Sequence, residues 1–160
     1  MTRLPSFGRL AALALIPLAA GAVLTLSPRE GEAQGIAGGE RHSALFPVCA
    51  GAGRVTCVVD GDTLWLKGTK IRIADIDTPE VFSPGCPQEA ALGRQATERL
   101  RELLNAGPFT LLPPPDGRME DRYGRQLRIV HRGGESLGEV LVREGLAERW
   151  GGPRKAWCGA

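Results

Sequence analysis

The chain has 160 residues, a length that one hydrophobic core typically serves, so a multidomain machine is not expected. Twenty Lys and Arg against 18 Asp and Glu leave a formal charge of +2, which argues against a polycationic nucleic-acid binder and confines any charge-based function to a local site. With 22 Gly, 12 Pro and 5% aromatic residues the composition suits short strands and turns rather than a helix bundle, while 42% apolar residues suffice for a core and exclude wholesale disorder.

Residues 1–33 read as an export signal. Arg3 and Arg9 flank the start of an apolar run from Leu10 to Leu26, and Gly31-Glu32-Ala33 offers a small-x-small cut, with an earlier cut at Ala22 left open. A 17-residue run containing Pro17 is at the short limit of a span that wants about 20, so a cleaved signal and a periplasmic or secreted protein are expected; an uncut segment would anchor the chain to a membrane. Cys49, Cys57, Cys86 and Cys158 all lie beyond it. An even count in an exported chain predicts two disulfides in any of three pairings, and the lack of a C-x-x-C gives no support to a zinc knuckle. Residues 34–48 hold Gly, Ala and charge without periodicity and read as a flexible leader, so the folded domain is expected over 49–160.

Arg54 to Leu66 is rich in Val, Thr, Leu and Trp and reads as one strand bent at Asp60-Gly61-Asp62. After a turn at Gly68, Thr69 to Ile76 forms the second strand of a hairpin and stops at Asp77-Thr78-Pro79. Pro87 to Ala106 places Leu92, Ala96, Leu100, Leu103 and Leu104 on one helical stripe and ends at Gly107-Pro108. Phe109 to Leu112 and Gln126 to His131 read as strands around a polar loop holding Asp121-Arg122-Tyr123-Gly124-Arg125. Ser136-x-x-Glu139 is a capping box that opens a second helix, with Gly145 at its end. Short strands with two helices predict a small α+β domain, a β-barrel with helices packed against it.

Acids concentrate in Asp60-Gly61-Asp62 and Asp77-Thr78-Pro79-Glu80, at the strand ends of that hairpin. Carboxylates and carbonyls are hard oxygen ligands that suit Ca²⁺ or Mg²⁺ rather than zinc or copper. The Asp60 run is not an EF-hand, because its fifth position would be Leu64. Arg72 and Arg125 flank these segments, and a guanidinium grips phosphate oxygens in a fixed fork; with 17 Arg against 3 Lys, composition alone does not single them out. Strict strand alternation would put Arg72 and Asp77 on opposite faces, so a shared site requires an irregularity between them. His42 and His131 have no evident catalytic partner, and Trp65, Trp150 and Trp157 read as packing anchors.

Four ordered runs carry a resemblance: Val58-Val59-Asp60-Gly61-Asp62-Thr63, Ile71-Arg72-Ile73-Ala74-Asp75-Ile76-Asp77-Thr78-Pro79-Glu80, Asp121-Arg122-Tyr123-Gly124-Arg125, and Leu141-Val142-Arg143-Glu144-Gly145-Leu146-Ala147. Together, over roughly Val55 to Trp150, the chain resembles the staphylococcal nuclease (thermonuclease) family. The resemblance implies a five-stranded Greek-key OB-fold barrel with packed helices and a nuclease that acts on DNA and RNA, leaving 3′-phosphate ends. It implies Asp62 and Asp77 as Ca²⁺ carboxylates, Thr78 as a carbonyl ligand and Asp60 as an outer acid. Glu80 falls at the general base, Arg72 and Arg125 at the phosphate-holding pair, and Arg122 and Tyr123 near the bound nucleotide. A monomer is expected.

The chain departs from the family after Ala147, where Glu148 to Cys158 replaces a longer helix with tyrosines that touch the nucleotide. It also departs in the loop Val81 to Cys86, which carries no lysine. The alternative to an enzyme is an inactive OB module that binds single-stranded nucleic acid or a protein partner; a disulfide-stapled structural domain would bind neither metal nor nucleic acid. Asp60, Asp62, Asp77 and Glu80 against Arg72 and Arg125 leave a metal-free site at −2, which one Ca²⁺ brings to zero, so phosphate binding is expected to be metal-linked.

Overall fold

The computed structural model describes residues 39–159, so the export-signal reading of residues 1–33 lies outside the described residues. Among these residues no helix is long and apolar enough to cross a membrane. In chain order the elements are β1 (Arg41–His42), β2 (Cys57–Asp60), β3 (Thr63–Leu66), β4 (Thr69–Ile73), β5 (Ile76–Asp77), α1 (Pro87–Asn105), β6 (Phe109–Leu112), β7 (Gln126–Arg132), β8 (Glu135–Ser136), α2 (Leu137–Arg143) and β9 (Glu148–Arg149).

Two expected single strands are each divided, and both divisions serve the site. Arg54 to Leu66 is not one bent strand: β2 and β3 pair antiparallel, with the chain reversing at Gly61-Asp62 and the register shifting between Val58 and Asp60. Gly61 allows the reversal to lie directly on α1, since a Cβ there would sit 2.7 Å from that of Ala96 and 2.9 Å from Thr78. Thr69 to Ile76 breaks after Ile73, and β5 begins only at Ile76. Between them Asp75 accepts a hydrogen bond from Ser136 Oγ at 2.6 Å, while Ser136 caps α2 by accepting from the Gly138 N–H at 3.0 Å.

The sheet runs β1-β6-β7-β4-β3-β2, with β8 beside β7, and β4 pairs β7 in parallel while its other ladders are antiparallel. This is the α+β architecture of an OB fold. Its hydrogen-bonded path is open, and the two ends meet through the segment 41–48, which borders β6 at Arg41–His42 and β2 through a bridge from Val48 to Val58.

That segment corrects the expected leader over 34–48 across its described part. Phe46 is fully buried against Phe109, ring centroids 5.8 Å apart, and its backbone N–H and carbonyl both bond the Asn105 side chain, at 2.8 and 2.9 Å. A lone aromatic and a two-residue strand leave no periodic signature, yet burying one Phe contributes about 1.5–3 kcal/mol. The core behind the sheet joins Val58, Leu64, Ile71 and Ile73 to Leu100 and Leu104 of α1 and Leu141 of α2.

Both disulfides form, as Cys49–Cys57 and Cys86–Cys158. For sequence separations of 8 and 72 residues, loop-closure entropy assigns them about 2.5 and about 4 kcal/mol. The second ties the C-terminal segment to the residue that caps α1.

Candidate active site

The break between β4 and β5 supplies the irregularity that a shared site requires. Arg72 Nη2 donates to Asp77 Oδ1 at 2.7 Å, and Arg72 Nη1 contacts Asp62 Oδ2. Asp62 is 7% exposed and heavily engaged. Its Oδ1 accepts from Thr63 Oγ1 at 3.0 Å, and its Oδ2 accepts from the Thr78 N–H and hydroxyl at 3.1 and 2.8 Å. These bonds lock the β2–β3 turn to the start of the segment after β5. Parallel pairing of β4 with β7 sets Arg72 opposite Leu127, which brings Arg125, one residue before β7, to the same place.

Asp60, Asp62, Arg72, Asp77, Thr78, Glu80 and Arg125 thus line one cleft of about 330 Å³. Arg122 and Tyr123 lie outside it, in an adjoining pocket of about 480 Å³ that Arg72, Arg125 and Trp150 also border. In the Asp121 loop, Asp121 accepts from the Tyr123 and Arg125 N–H groups at 2.9 and 3.0 Å and from Arg125 Nε at 2.7 Å. The guanidinium groups of Arg122 and Arg125 stand 4.8 and 5.5 Å from the centre of the exposed Tyr123 ring.

Glu80 is held from behind. Its N–H donates to Glu89 Oε1 at 3.3 Å, and the other oxygen of Glu89 accepts from Gly85 at 2.6 Å. Gly93 lets α1 press on this backbone, for a Cβ there would lie 2.6 Å from the Pro79 carbonyl oxygen and 3.0 Å from that of Glu80. Burial, and then the charges of Asp60 and Asp77, push the Glu80 carboxyl above its ordinary value of 4.5. Burial also raises Asp60, against the pull of Thr63 and Arg72, and lowers the Arg72 guanidinium, which Asp77 partly restores.

Two contributors came from the segment where the sequence departs from the family pattern. β9 pairs with β5, Asp77 opposite Glu148, and the Trp150 N–H donates to the Asp75 carbonyl at 2.9 Å. Trp150, expected as a packing anchor, is instead 52% exposed because it follows β9 out of the sheet; it borders both clefts, with the Arg72 guanidinium 5.6 Å from its ring centre. Arg154 lines the acid cleft as well, so the formal charge of the groups there becomes −1 rather than −2. Two residues of β9 are too short a run to announce themselves by alternation.

The donors of this cleft, three Asp carboxylates and a Thr carbonyl, suit a hard divalent cation. Arg72 bonds both Asp62 and Asp77, so an ion that took the same carboxylate oxygens would compete with its guanidinium. Among the described residues, the only trio of His, Cys, Asp or Glu with ligand atoms within 4.8 Å of one another is Cys86, Glu89 and Cys158, whose sulfurs are bonded to each other.

Fold and cleft together define a small OB domain with acids and arginines converging at strand ends. The model of the staphylococcal nuclease homologue family matches residues 70–155, and the chain belongs to that family. It is 38% identical over 94 residues to Endonuclease YncB of Bacillus subtilis (strain 168), covering 56% of this chain and 43% of the relative. To Thermonuclease of Staphylococcus hyicus it is 35% identical over 98 residues, 59% of this chain and 56% of the relative. The chain therefore spans about half the length of these curated relatives. Asp60 and Asp62 precede the matched residues, and it is the fold that brings them to Asp77.

Proposed function

We propose that the protein is an exported, Ca²⁺-dependent nuclease that hydrolyses phosphodiester bonds within DNA and RNA and leaves 3′-phosphate ends. The observation that carries this reading is the convergence of Glu80, Arg72 and Arg125 with the Asp60, Asp62 and Asp77 carboxylates on one cleft. The names of the relatives, an endonuclease and a thermonuclease, support the substrate class. Two disulfides support an oxidising compartment.

Asp62, Asp77 and the Thr78 carbonyl would hold the cation, with Asp60 behind them. A bound Ca²⁺ would act as a Lewis acid on a phosphoryl oxygen and offset the excess negative charge of the cleft. Glu80 accepts a proton from the attacking water and orients it. Its raised affinity for protons moves it toward the range in which a carboxylate is an effective general base. Arg72 and Arg125 donate to the equatorial oxygens as negative charge grows on them, in positions fixed by Asp77 and Asp121 before substrate arrives. Glu89 and Gly93 keep the Glu80 backbone in place.

The deciding experiment is hydrolysis of fluorogenic DNA and RNA oligonucleotides with Ca²⁺ and with EGTA. Chelation is expected to abolish cleavage. Glu80→Gln is expected to lower kcat by about 10²–10⁴-fold, and Arg125→Ala by about 10²–10³-fold. Oligonucleotide binding in Ca²⁺ without cleavage would overturn the reading in favour of a binding module, and full activity of either variant would remove that residue from its role.

A further inference from the structure

Arg125 and Asp60 also border a third cleft, of about 240 Å³, which Asp62 and Asp77 do not line. Its walls include Arg54, Lys70, Asp60 and Phe82. Phe82 is 67% exposed, so the ring that lines this cleft is open to a partner from solvent. Arg54 and Lys70 make no ion pair among the described residues, whereas Arg72 and Arg125 beside them are both paired with acids.

The framework presents these groups rather than leaving them to chance. The Cys49–Cys57 disulfide closes the loop that carries Arg54. That loop is stitched to the β3–β4 turn by hydrogen bonds from the Gly68 N–H to the Val55 carbonyl at 2.8 Å and from the Lys67 N–H to Thr56 Oγ1 at 3.1 Å. Lys70 and Arg72 lie two residues apart on β4 and so share a face, about 6.6 Å apart along the strand. That is a one-nucleotide step for an extended sugar–phosphate chain. The three clefts adjoin through shared walls: Arg125 borders all of them, Arg72 and Trp150 border the first and second, and Asp60 the second and third.

We infer that the cleft of Arg54, Lys70 and Phe82 is a subsite for the neighbouring nucleotide of a single-stranded polynucleotide whose scissile phosphate lies in the acid cleft. Arg54 and Lys70 hold the next phosphate, and Phe82 stacks on an unpaired base. A base inside a duplex has no free face to offer, so the subsite selects single strands. The inference rests on the nuclease reading for the position of the scissile phosphate. It adds a preference for chains over one-nucleoside diesters, set by residues remote from the reacting atoms.

The test compares wild type, Arg54→Ala/Lys70→Ala and Phe82→Ala on two substrates with Ca²⁺: an eight-nucleotide single strand and a chromogenic phosphodiester carrying one nucleoside. On the single strand, kcat/KM is expected to fall about 5- to 150-fold in Phe82→Ala, the size of one lost base stack. In the double variant kcat/KM falls as well, and the dependence of log affinity on log salt becomes shallower by about 0.7 for each lost phosphate contact. On the one-nucleoside diester all three enzymes are expected to be equal. Unchanged kinetics on the single strand, or an equal loss on both substrates, would overturn the subsite. If wild type cleaves neither substrate, the nuclease reading fails by itself. Fluorescence anisotropy with the labelled eight-mer then decides the subsite: weaker binding by the variants sustains it, and binding equal to wild type overturns it.

Discussion

The two clefts that meet at Arg72 and Arg125 are built on different principles. In the acid cleft Asp62, Arg72 and Thr78 are each 7% exposed, sit at strand ends, and are joined to one another by several bonds. In the adjoining pocket Tyr123 is 67% exposed and the loop around it is organised largely by one side chain, Asp121. On the proposed function, the groups that would meet a reacting phosphate are carried by the rigid framework, and those that would accommodate varied bases are carried by a loop. Arg125 belongs to both: it borders the acid cleft, yet Asp121 of the loop aims it.

This contrast predicts unequal responses to single substitutions. The largest is expected from Asp62→Ala, which removes the hub of the acid cleft and leaves buried Arg72 short of a partner. Urea unfolding should show a loss of about 3–5 kcal/mol, together with loss of cleavage; a loss below about 1 kcal/mol would mean that the cleft is not over-determined as argued. Gly93→Ala comes next, because its new methyl meets backbone oxygens of Pro79 and Glu80 rather than a side chain that can swing away. Destabilisation of about 1–3 kcal/mol and a fall in kcat of up to about 10²-fold are expected, with KM little changed, and unchanged kcat would show that the Glu80 backbone tolerates displacement.

Asp121→Asn is the smallest and the most diagnostic for the loop. Burial raises the Asp121 carboxyl, but the bonds from Arg125 and Tyr123 outweigh it and hold the group below its ordinary 3.8. Because the folded value is depressed, its contribution is present at neutral pH and is lost as pH falls through the folded value. The variant should therefore trail wild type by about 1.5 kcal/mol at pH 7 and converge with it below the ordinary 3.8. A gap that stays constant with pH would assign the effect to something other than the carboxylate charge.

Much of this was legible in the chain itself. Helix α1 follows from the Ala96, Leu100, Leu104 spacing, and the Ser136 cap from a local hydrogen-bonding rule, because both signals repeat or act within one turn. Asp60, Asp62, Arg72, Asp77, Glu80 and Arg125 were marked by three of the four ordered motifs, and these six reach the same cleft. Phe46, Trp150 and Arg154 were not legible as what they are, since each is placed by elements of two residues, β1 and β9, whose partners lie far away in sequence.

The sequence by itself determined the residue types: hard-oxygen acids, arginines whose forked guanidinium suits phosphate oxygens, and an even set of cysteines. Those follow from chemistry and from short spacings that any chain folding this way must keep. Only the tertiary structure decided which cysteines pair, that Arg72 sits between Asp62 and Asp77, and that a C-terminal tail brings Trp150 and Arg154 to the site. It also decided the charge that first looked uninformative. A chain at +2 concentrates four acids and three arginines in one cleft. Long-range pairing sets where charges meet, and no count along the chain contains that.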